Sequence, residues 1–217
     1  MPLPDQEVIH EDVARAKYRS KIDLMDAYEQ VHVCIKDVEK NVFVTITGTF
    51  VSHVMWIGDC NAPVTFQWLM TTIFCDAIGC NMHVYLDNIF IYLNSIEEHE
   101  EHLCLIFERL KEHQLFLKWA KCNLYADKVD CLGHIINKDG IHVDTDKVAH
   151  IRKWCTPRNY NDIQCFIGLV NYIGNFLSDI TAYTGLLLAM TQNGASFHWH
   201  SLHQVCFDMI KQICNGY

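Results

Sequence analysis

The sequence predicts an α+β fold, in which short antiparallel strands are combined with a few longer helices. Three observations support this class. Two stretches have the pattern of β-hairpins, one centred on residues 85–88 and one on Thr47-Gly48. Two longer stretches, 63–78 and 96–112, repeat apolar residues at helical spacing. After the break at Pro157, the predicted elements are all helices.

The first sixty residues predict one helix followed by short strands. Residues 5–17 have apolar residues at helical spacing. Apolar and polar residues alternate further on, and the predicted strands are 20–24, 29–36, 41–46 and 49–55. Asp23 lies near the end of the first of these strands, where a carboxylate can reach the sheet edge.

The two long helices have recognisable starts. Asn61 can cap the helix that runs to about residue 78. Ser95 caps the helix over 96–112, and Glu98 completes a capping-box pattern. His99 lies among the glutamates of this helix, and we expect its side chain to be solvated. Between the two helices, apolar runs flank residues 85–88 and predict a hairpin with an acidic residue at its tip.

The last hundred residues predict short strands and then helices. Residues 115–142 read as strands and turns that include Leu132-Gly133-His134. The predicted helices that follow are 144–154, 160–176, 179–190 and 203–214.

Composition narrows the class of protein. Half of the 217 residues are hydrophobic, so the chain can bury a core, and no apolar stretch is long enough for a membrane span. The N-terminus lacks a signal-peptide pattern, which predicts an intracellular protein, cytoplasmic or nuclear, with reduced cysteines. We expect the thiols of helical and apolar segments to pack as small hydrophobes, including Cys34, Cys75, Cys104, Cys165 and Cys206. A net charge of −9 and only five arginines argue against a generic nucleic-acid binder.

Two carboxylates stand out as candidate metal ligands. Asp23 and Asp87 each end or turn an apolar β run, and they are 64 positions apart. Carboxylates on neighbouring strand ends can hold a pair of Mg²⁺ ions for phosphoryl transfer. Taken singly, each aspartate fits an ordinary turn or cap residue better than a metal ligand.

Several motifs in a fixed order resemble the reverse transcriptase of gypsy-type long-terminal-repeat retrotransposons, in particular fungal ones. The third block normally reads Tyr-Leu-Asp-Asp, and here Asn88 replaces the second Asp. The blocks cover nearly the whole chain and are Ser20–Tyr28, Asn61–Gln67, Tyr85–Asn88, Glu97–Leu103, Leu132–His134 and Phe166–Tyr172.

The resemblance implies a right-hand polymerase palm with partial fingers, followed by a small helical thumb. It implies palm and partial fingers over 1–142, a thumb over 143–190, and over 191–217 the start of a tether towards a ribonuclease H domain. Other polyprotein domains are further expected partners.

The resemblance also implies roles for individual residues. Asp23 and Asp87 would bind Mg²⁺ (or Mn²⁺), with Asn88 as a weakened third ligand. On the nucleotide side it implies the Leu24 backbone near the triphosphate, Tyr28 as the gate against a ribose 2′-hydroxyl, and also Lys40 and Gly58. Leu132, Gly133 and His134 would form the primer grip.

The implied reaction adds deoxynucleoside triphosphates to the 3′-hydroxyl of a primer on an RNA or DNA template, with no membrane partner. Asn88 lacks the charge of the usual Asp, so we expect catalysis to be weakened or lost. The alternative is a decayed or co-opted, non-catalytic domain that keeps the fold and nucleic-acid binding. Asn88 and the few arginines favour this alternative, whereas Asp23, Tyr28 and Asp87 favour the enzyme.

Overall fold

The computed structural model describes residues 3–143, 145–174, 180–192 and 197–214. The chain divides into two compact units, which are described separately. The first comprises residues 1–132 and 136–141, and the second comprises residues 133–135 and 142–217. The described residues contain no helix long and apolar enough to cross a membrane.

The first unit is built on an antiparallel sheet of three strands in the order β1-β5-β4. These strands are β1 (Tyr18–Asp23), β4 (Met82–Tyr85) and β5 (Asn88–Leu93). Three helices pack on the sheet, α1 (Gln6–Arg15), α2 (Ala62–Ile73) and α3 (Ile96–Glu112).

The central strand β5 is buried on both faces because helices cover both sides of the sheet. Ile89 and Ile91 point into a core that includes side chains of α2 and α3. Phe90 and Tyr92 point the other way, into a second core formed with α1. Alternation of successive side chains across a strand explains this division. The sheet therefore lies between helical layers, and its hairpin tip is held between fixed strands.

A separate hairpin projects from the first unit, and its side chains are largely exposed. It consists of β2 (Val42–Thr45) and β3 (Gly48–Val51), as the Thr47-Gly48 signal predicts. The strand predicted over 29–36 is wrong. That stretch contains 3₁₀ turns at Ala27–Gln30 and Ile35–Lys40, and its β-structure there is an isolated bridge between His32 and Val54. With a single bridged residue as partner, the alternating pattern does not become a strand.

Short strands and four helices complete the described chain. The strands β6 (Val129–Cys131), β7 (His134–Asn137) and β8 (Gly140–Val143) form a third sheet in that order. The helices are α4 (Thr145–Lys153), α5 (Tyr160–Tyr172), α6 (Ile180–Ala189) and α7 (Ser201–Ile213). In the second unit their apolar faces share one core around Phe166, Leu187 and Phe207. Residues 193–196 and 215–217 of the predicted tether lie outside the described residues.

Two expectations about burial are wrong. His99 is fully buried, and the 2.7 Å hydrogen bond between its Nε2 and the Ser20 hydroxyl on β1 offsets part of the cost of removing the imidazole from water. Of the five thiols expected to be buried, Cys206 alone is buried, and Cys34, Cys75, Cys104 and Cys165 are exposed. Periodicity within one helix or strand does not say which neighbours will cover it.

Candidate active site

The site begins at the two-residue turn that joins β4 to β5. Tyr85 pairs with Asn88 across the hairpin, which leaves Leu86 and Asp87 as the turn. Leu86 has a φ of 53°, a left-handed conformation that is costly for a residue with a Cβ atom. The structure around the turn must therefore supply compensating contacts.

Gln67 on α2 supplies those contacts. Its side-chain oxygen accepts a hydrogen bond of 2.9 Å from the Leu86 amide, and its Nε2 donates one of 3.0 Å to the Val84 carbonyl. Gln67 is only 1% exposed, so both bonds are shielded from water. Gln67 lies in one of the sequence motifs, but the motif alone does not predict that this residue supports the turn. The signal that could have found it is a polar residue on the apolar face of a helix.

Asp23 lies directly beside this turn. Asp23 and Asn88 are partners in the register of β1 and β5, and the Leu24 amide donates a 2.9 Å hydrogen bond to the Asp87 carbonyl. The β1 strand end and the turn are thus fixed to each other through the backbone. Because the Leu24 N–H is already bonded, it is not a ready donor for a triphosphate.

The two aspartates line one pocket of about 330 Å³. The predicted site residues Leu24 and Tyr28 also line this pocket. Gly58 is not among the described residues that line it, but its neighbour Ile57 is. Burial, and then the charge of Asp87, raises the pKa of Tyr28. The complete lining is Asp23, Leu24, Asp26, Ala27, Tyr28, Glu29, Ile57, Asp87, Lys118 and Lys121.

The cations of this pocket are not those the sequence suggested. Lys118 and Lys121 line it, and the Nζ of Lys121 lies 4.0 Å from Oδ2 of Asp23. Lys40 is absent from the described lining, and it pairs at 2.6 Å with Asp37 within its own 3₁₀ turn. The hydrogen bond to Asp37 raises the pKa of Lys40. Lys118 and Lys121 follow an apolar strand-like run, which gives no sequence signal for a shared pocket.

Asn88 is oriented towards its neighbour. Its Nδ2 donates a 3.0 Å hydrogen bond to Oδ1 of Asp87, and Asn88 is not among the described residues that line the pocket. An amide nitrogen in this place uses a lone pair of Asp87 that a metal ion would otherwise take.

The predicted primer-grip residues form a second tight turn, between β6 and β7. Leu132 and Gly133 both have positive φ, at 49° and 83°. A Cβ atom on Gly133 would collide with the Tyr172 hydroxyl and with Nζ of Lys147. His134 stacks on the Tyr172 ring, with centroids 5.1 Å apart and planes 13° from parallel. Tyr172 therefore holds this turn, and position 133 has no room for a larger residue.

A family model described as reverse transcriptase (RNA-dependent DNA polymerase) matches residues 3–136, which is more than half of the chain. The chain belongs to the reverse transcriptase family. Its fold agrees with this assignment: it is similar to the foamy viral protease-reverse transcriptase dRH in complex with double-stranded DNA, with a TM-score of 0.89 at 22% identity, over 100% of this chain and 38% of that one. The chain is also similar to a foamy viral protease-reverse transcriptase in complex with an RNA/DNA hybrid, with a TM-score of 0.86 at 22% identity, over 99% of this chain and 29% of that one.

Polyproteins of transposons are similar in sequence. The Tf2-3 polyprotein of Schizosaccharomyces pombe is 28% identical over 211 residues, which are 97% of this chain and 16% of the polyprotein. The Pol polyprotein from transposon opus of Drosophila melanogaster is 28% identical over 191 residues, 88% of this chain and 19% of that polyprotein. The chain thus corresponds to the reverse transcriptase segment of a retrotransposon polyprotein and spans under a fifth of their length. The predicted α+β palm with partial fingers is confirmed.

Reverse transcriptases generally use divalent metal ions. Within the described ranges, no group of three His, Cys, Asp or Glu side chains is arranged to hold a metal by itself. Asp23 and Asp87 line one pocket and fit one divalent cation that brings phosphate oxygens and water as its other ligands. Asn88 adds no carboxylate to this pair.

Proposed function

We propose that this reverse transcriptase segment acts as an RNA-directed DNA polymerase. The observation that carries the proposal is the β4–β5 turn, which brings Asp87 to the end of β1 so that Asp23, Asp87 and Tyr28 share one pocket. In the reaction the primer 3′-oxygen would bond to the α-phosphorus of a deoxynucleoside triphosphate. The bond from that phosphorus to the bridging oxygen would break, pyrophosphate would leave, and the hydroxyl proton would pass to water.

Five residues of the pocket have a part in this proposal. Asp23 and Asp87 would hold Mg²⁺ (or Mn²⁺), which when bound supplies Lewis-acid stabilisation of the phosphate charge. The Tyr28 ring packs edge-on against Phe66, with centroids 5.7 Å apart, which fixes it as a wall against a ribose 2′-hydroxyl. Lys118 and Lys121 would face the triphosphate. Lys40 could take part only if it left Asp37.

The proposed partners are a primer on an RNA or DNA template and deoxynucleoside triphosphates. Support comes from the foamy viral relatives, whose structures contain double-stranded DNA or an RNA/DNA hybrid. Leu132, Gly133 and His134 would grip the primer, and the helices after residue 142 would act as the thumb. Neighbouring domains of a polyprotein and an intracellular location are part of the same proposal, because templates and nucleotides are found inside cells.

Primer extension tests the activity. We expect slow extension with Mn²⁺ and slower extension with Mg²⁺, because Asn88 weakens the metal site. Asn88→Asp should raise the rate at least tenfold, and Asp87→Ala should abolish it. Tyr28→Ala should increase ribonucleotide incorporation relative to deoxynucleotide incorporation. If Asn88→Asp gives no gain and Asp87→Ala loses nothing, this catalytic assignment is wrong.

The hydrogen bond from Asn88 to Asp87 favours a second candidate, a non-catalytic domain that binds nucleic acid. This candidate expects no extension by the wild type and retained binding of a primer–template duplex in a gel shift at low salt. If the duplex shows no gel shift even at low salt, both candidate functions are excluded.

We also propose that the parent element is a gypsy-type long-terminal-repeat retrotransposon of a fungus. The Tf2 similarity supports this origin, while the opus similarity at equal identity supports a retrotransposon origin alone. A phylogeny of reverse transcriptase segments that places the chain among insect elements would contradict the fungal part.

A further inference from the structure

The pocket concentrates negative charge in its lining. Asp23, Asp26, Glu29 and Asp87 all line it, and the Asp23 side chain is only 8% exposed. A carboxylate removed from water is costly unless a cation or hydrogen-bond donors compensate it. The described residues show what compensates each of the two central aspartates.

Lys121 compensates Asp23, and the backbone fixes its position. It ends the 3₁₀ turn Trp119–Lys121, and this turn is bonded to the end of β1. The Lys118 amide donates a 2.8 Å hydrogen bond to the carbonyl of Asp23 itself, and the Asn123 amide donates one of 2.8 Å to the Lys21 carbonyl. The ammonium group of Lys121 is thereby held 4.0 Å from the Asp23 carboxylate. Its side chain is 58% exposed, so it can swing away when another cation arrives.

Asn88 compensates Asp87 in a different way. Its Nδ2 donates to Oδ1 of Asp87 at 3.0 Å, where an aspartate would place a second negative charge. Two adjacent carboxylates would repel each other and need a metal ion between them. The amide supplies a neutral donor, so repulsion is replaced by attraction.

We propose that Lys121 and Asn88 are resident partners of the two carboxylates, so that the centre is stable without a divalent cation and takes one up only together with a nucleotide triphosphate. Uptake with a nucleotide rests on the proposed function, whereas stability without a cation rests on the two contacts alone.

Thermal unfolding of the full chain in EDTA and in saturating Mn²⁺ tests this stability. The wild type should melt at the same temperature in both. Asn88→Asp should melt at least ~3 °C lower in EDTA, because two adjacent carboxylates repel, and should recover in Mn²⁺. If Asn88→Asp folds only when Mn²⁺ is present, that result would also support the proposal. A wild type that gains as much from Mn²⁺ as Asn88→Asp would overturn it.

The variant Lys121→Met tests the proposal in a second way, since an exposed side chain can be replaced without loss of the fold. Measured as free Mn²⁺ by electron paramagnetic resonance without nucleotide, its Mn²⁺ affinity should exceed that of the wild type about fivefold. Lys138→Met removes the same charge from the exposed β7–β8 turn and is the matched control. Equal affinities for Lys121→Met and the wild type would overturn the role of Lys121.

Uptake with a nucleotide is tested with dTTP and Mn²⁺ in the same melting assay. The wild type should be stabilised by both together and by neither alone. If both together have no effect while the EDTA and Lys121→Met results hold, the polymerase assignment fails and the internally compensated centre stands. If Mn²⁺ alone stabilises the wild type while primer extension succeeds, the polymerase assignment stands and the compensated centre fails.

Discussion

Two short turns carry the predicted site residues, and they are held by different physical means. The turn Leu86–Asp87 and the turn Leu132–Gly133 each join neighbouring strands with two residues, and each contains a leucine with positive φ. Gln67 holds the first turn through two buried hydrogen bonds. Tyr172 holds the second by packing, with Lys147 3.9 Å above its ring.

The difference follows from what each turn presents. The first turn must expose a carboxylate beside Asp23. It is therefore supported by the buried side-chain amide of Gln67, which leaves the pocket side of the turn open. The second turn presents Gly133 backbone against an aromatic ring, and close approach is possible because glycine lacks a Cβ atom. In both cases the supporting residue is the last residue of another motif block, Asn61–Gln67 or Phe166–Tyr172. The motifs are therefore physically paired.

The packed turn should be the more sensitive to added volume. Gly133→Ala should lower the free energy of unfolding by ~3 kcal/mol, from positive-φ strain and from the collision with Tyr172. Gly79→Ala is the matched control, because Gly79 has the same φ of 83° with nothing within 4 Å, and it should cost ~1 kcal/mol. Urea unfolding followed by circular dichroism measures both. Equal losses would show that packing against Tyr172 contributes nothing.

The hydrogen-bonded turn should be the more sensitive to loss of polarity. Gln67→Leu leaves the Leu86 amide and the Val84 carbonyl without partners in a buried place, and should cost about 2–3 kcal/mol in urea unfolding. Gln30 is the matched control, because its side chain also bonds backbone groups, those of Met25 and Phe116, but through hydrogen bonds that are exposed to water. Gln30→Leu should cost ~1 kcal/mol or less, since water replaces its bonds. A larger loss for Gln30→Leu would contradict the role of burial.

Acid sensitivity should come from two buried histidines of the first unit, His10 and His99. Burial lowers the pKa of His99 and of His10 below 6.5. The unfolded chain then binds these protons more readily than the folded one, and stability falls as the pH drops below 6.5.

His99→Gln should flatten the fall in the urea midpoint between pH 7 and about pH 5, whereas His32→Gln, at an exposed position, should leave it unchanged. An unchanged slope in His99→Gln would mean that His99 contributes no acid sensitivity.

The smallest expected effect concerns the cation above Tyr172. Lys147→Met removes an ammonium group that lies 3.9 Å from the ring centroid and donates a 3.4 Å hydrogen bond to the Gly133 carbonyl, and it should cost ~1 kcal/mol. Lys17→Met is the control, because its ammonium lies 5.1 Å from the Tyr18 ring, and it should cost less. Chemical denaturation at low and high salt measures both. Equal costs would indicate that the ring is held by packing alone.

The palm could be predicted from local patterns to a large extent. Two hairpin signals, the Ser95 cap and the apolar periods give β2–β5 and α3 within a few residues, since these features depend on neighbours in the sequence. The strand predicted over 29–36 is wrong because a strand requires a partner strand, and the alternating pattern does not identify one.

The sequence by itself determined the family motifs, the two candidate carboxylates and the substitution at Asn88. Only the tertiary structure decided that Gln67 and Tyr172 hold the two turns, that Lys121 rather than Lys40 faces Asp23, and that Asn88 donates to Asp87. The physical reason is range. A motif is written in residues adjacent along the chain, whereas charge compensation and packing depend on residues that are distant in sequence and meet only when the sheet and helices have formed.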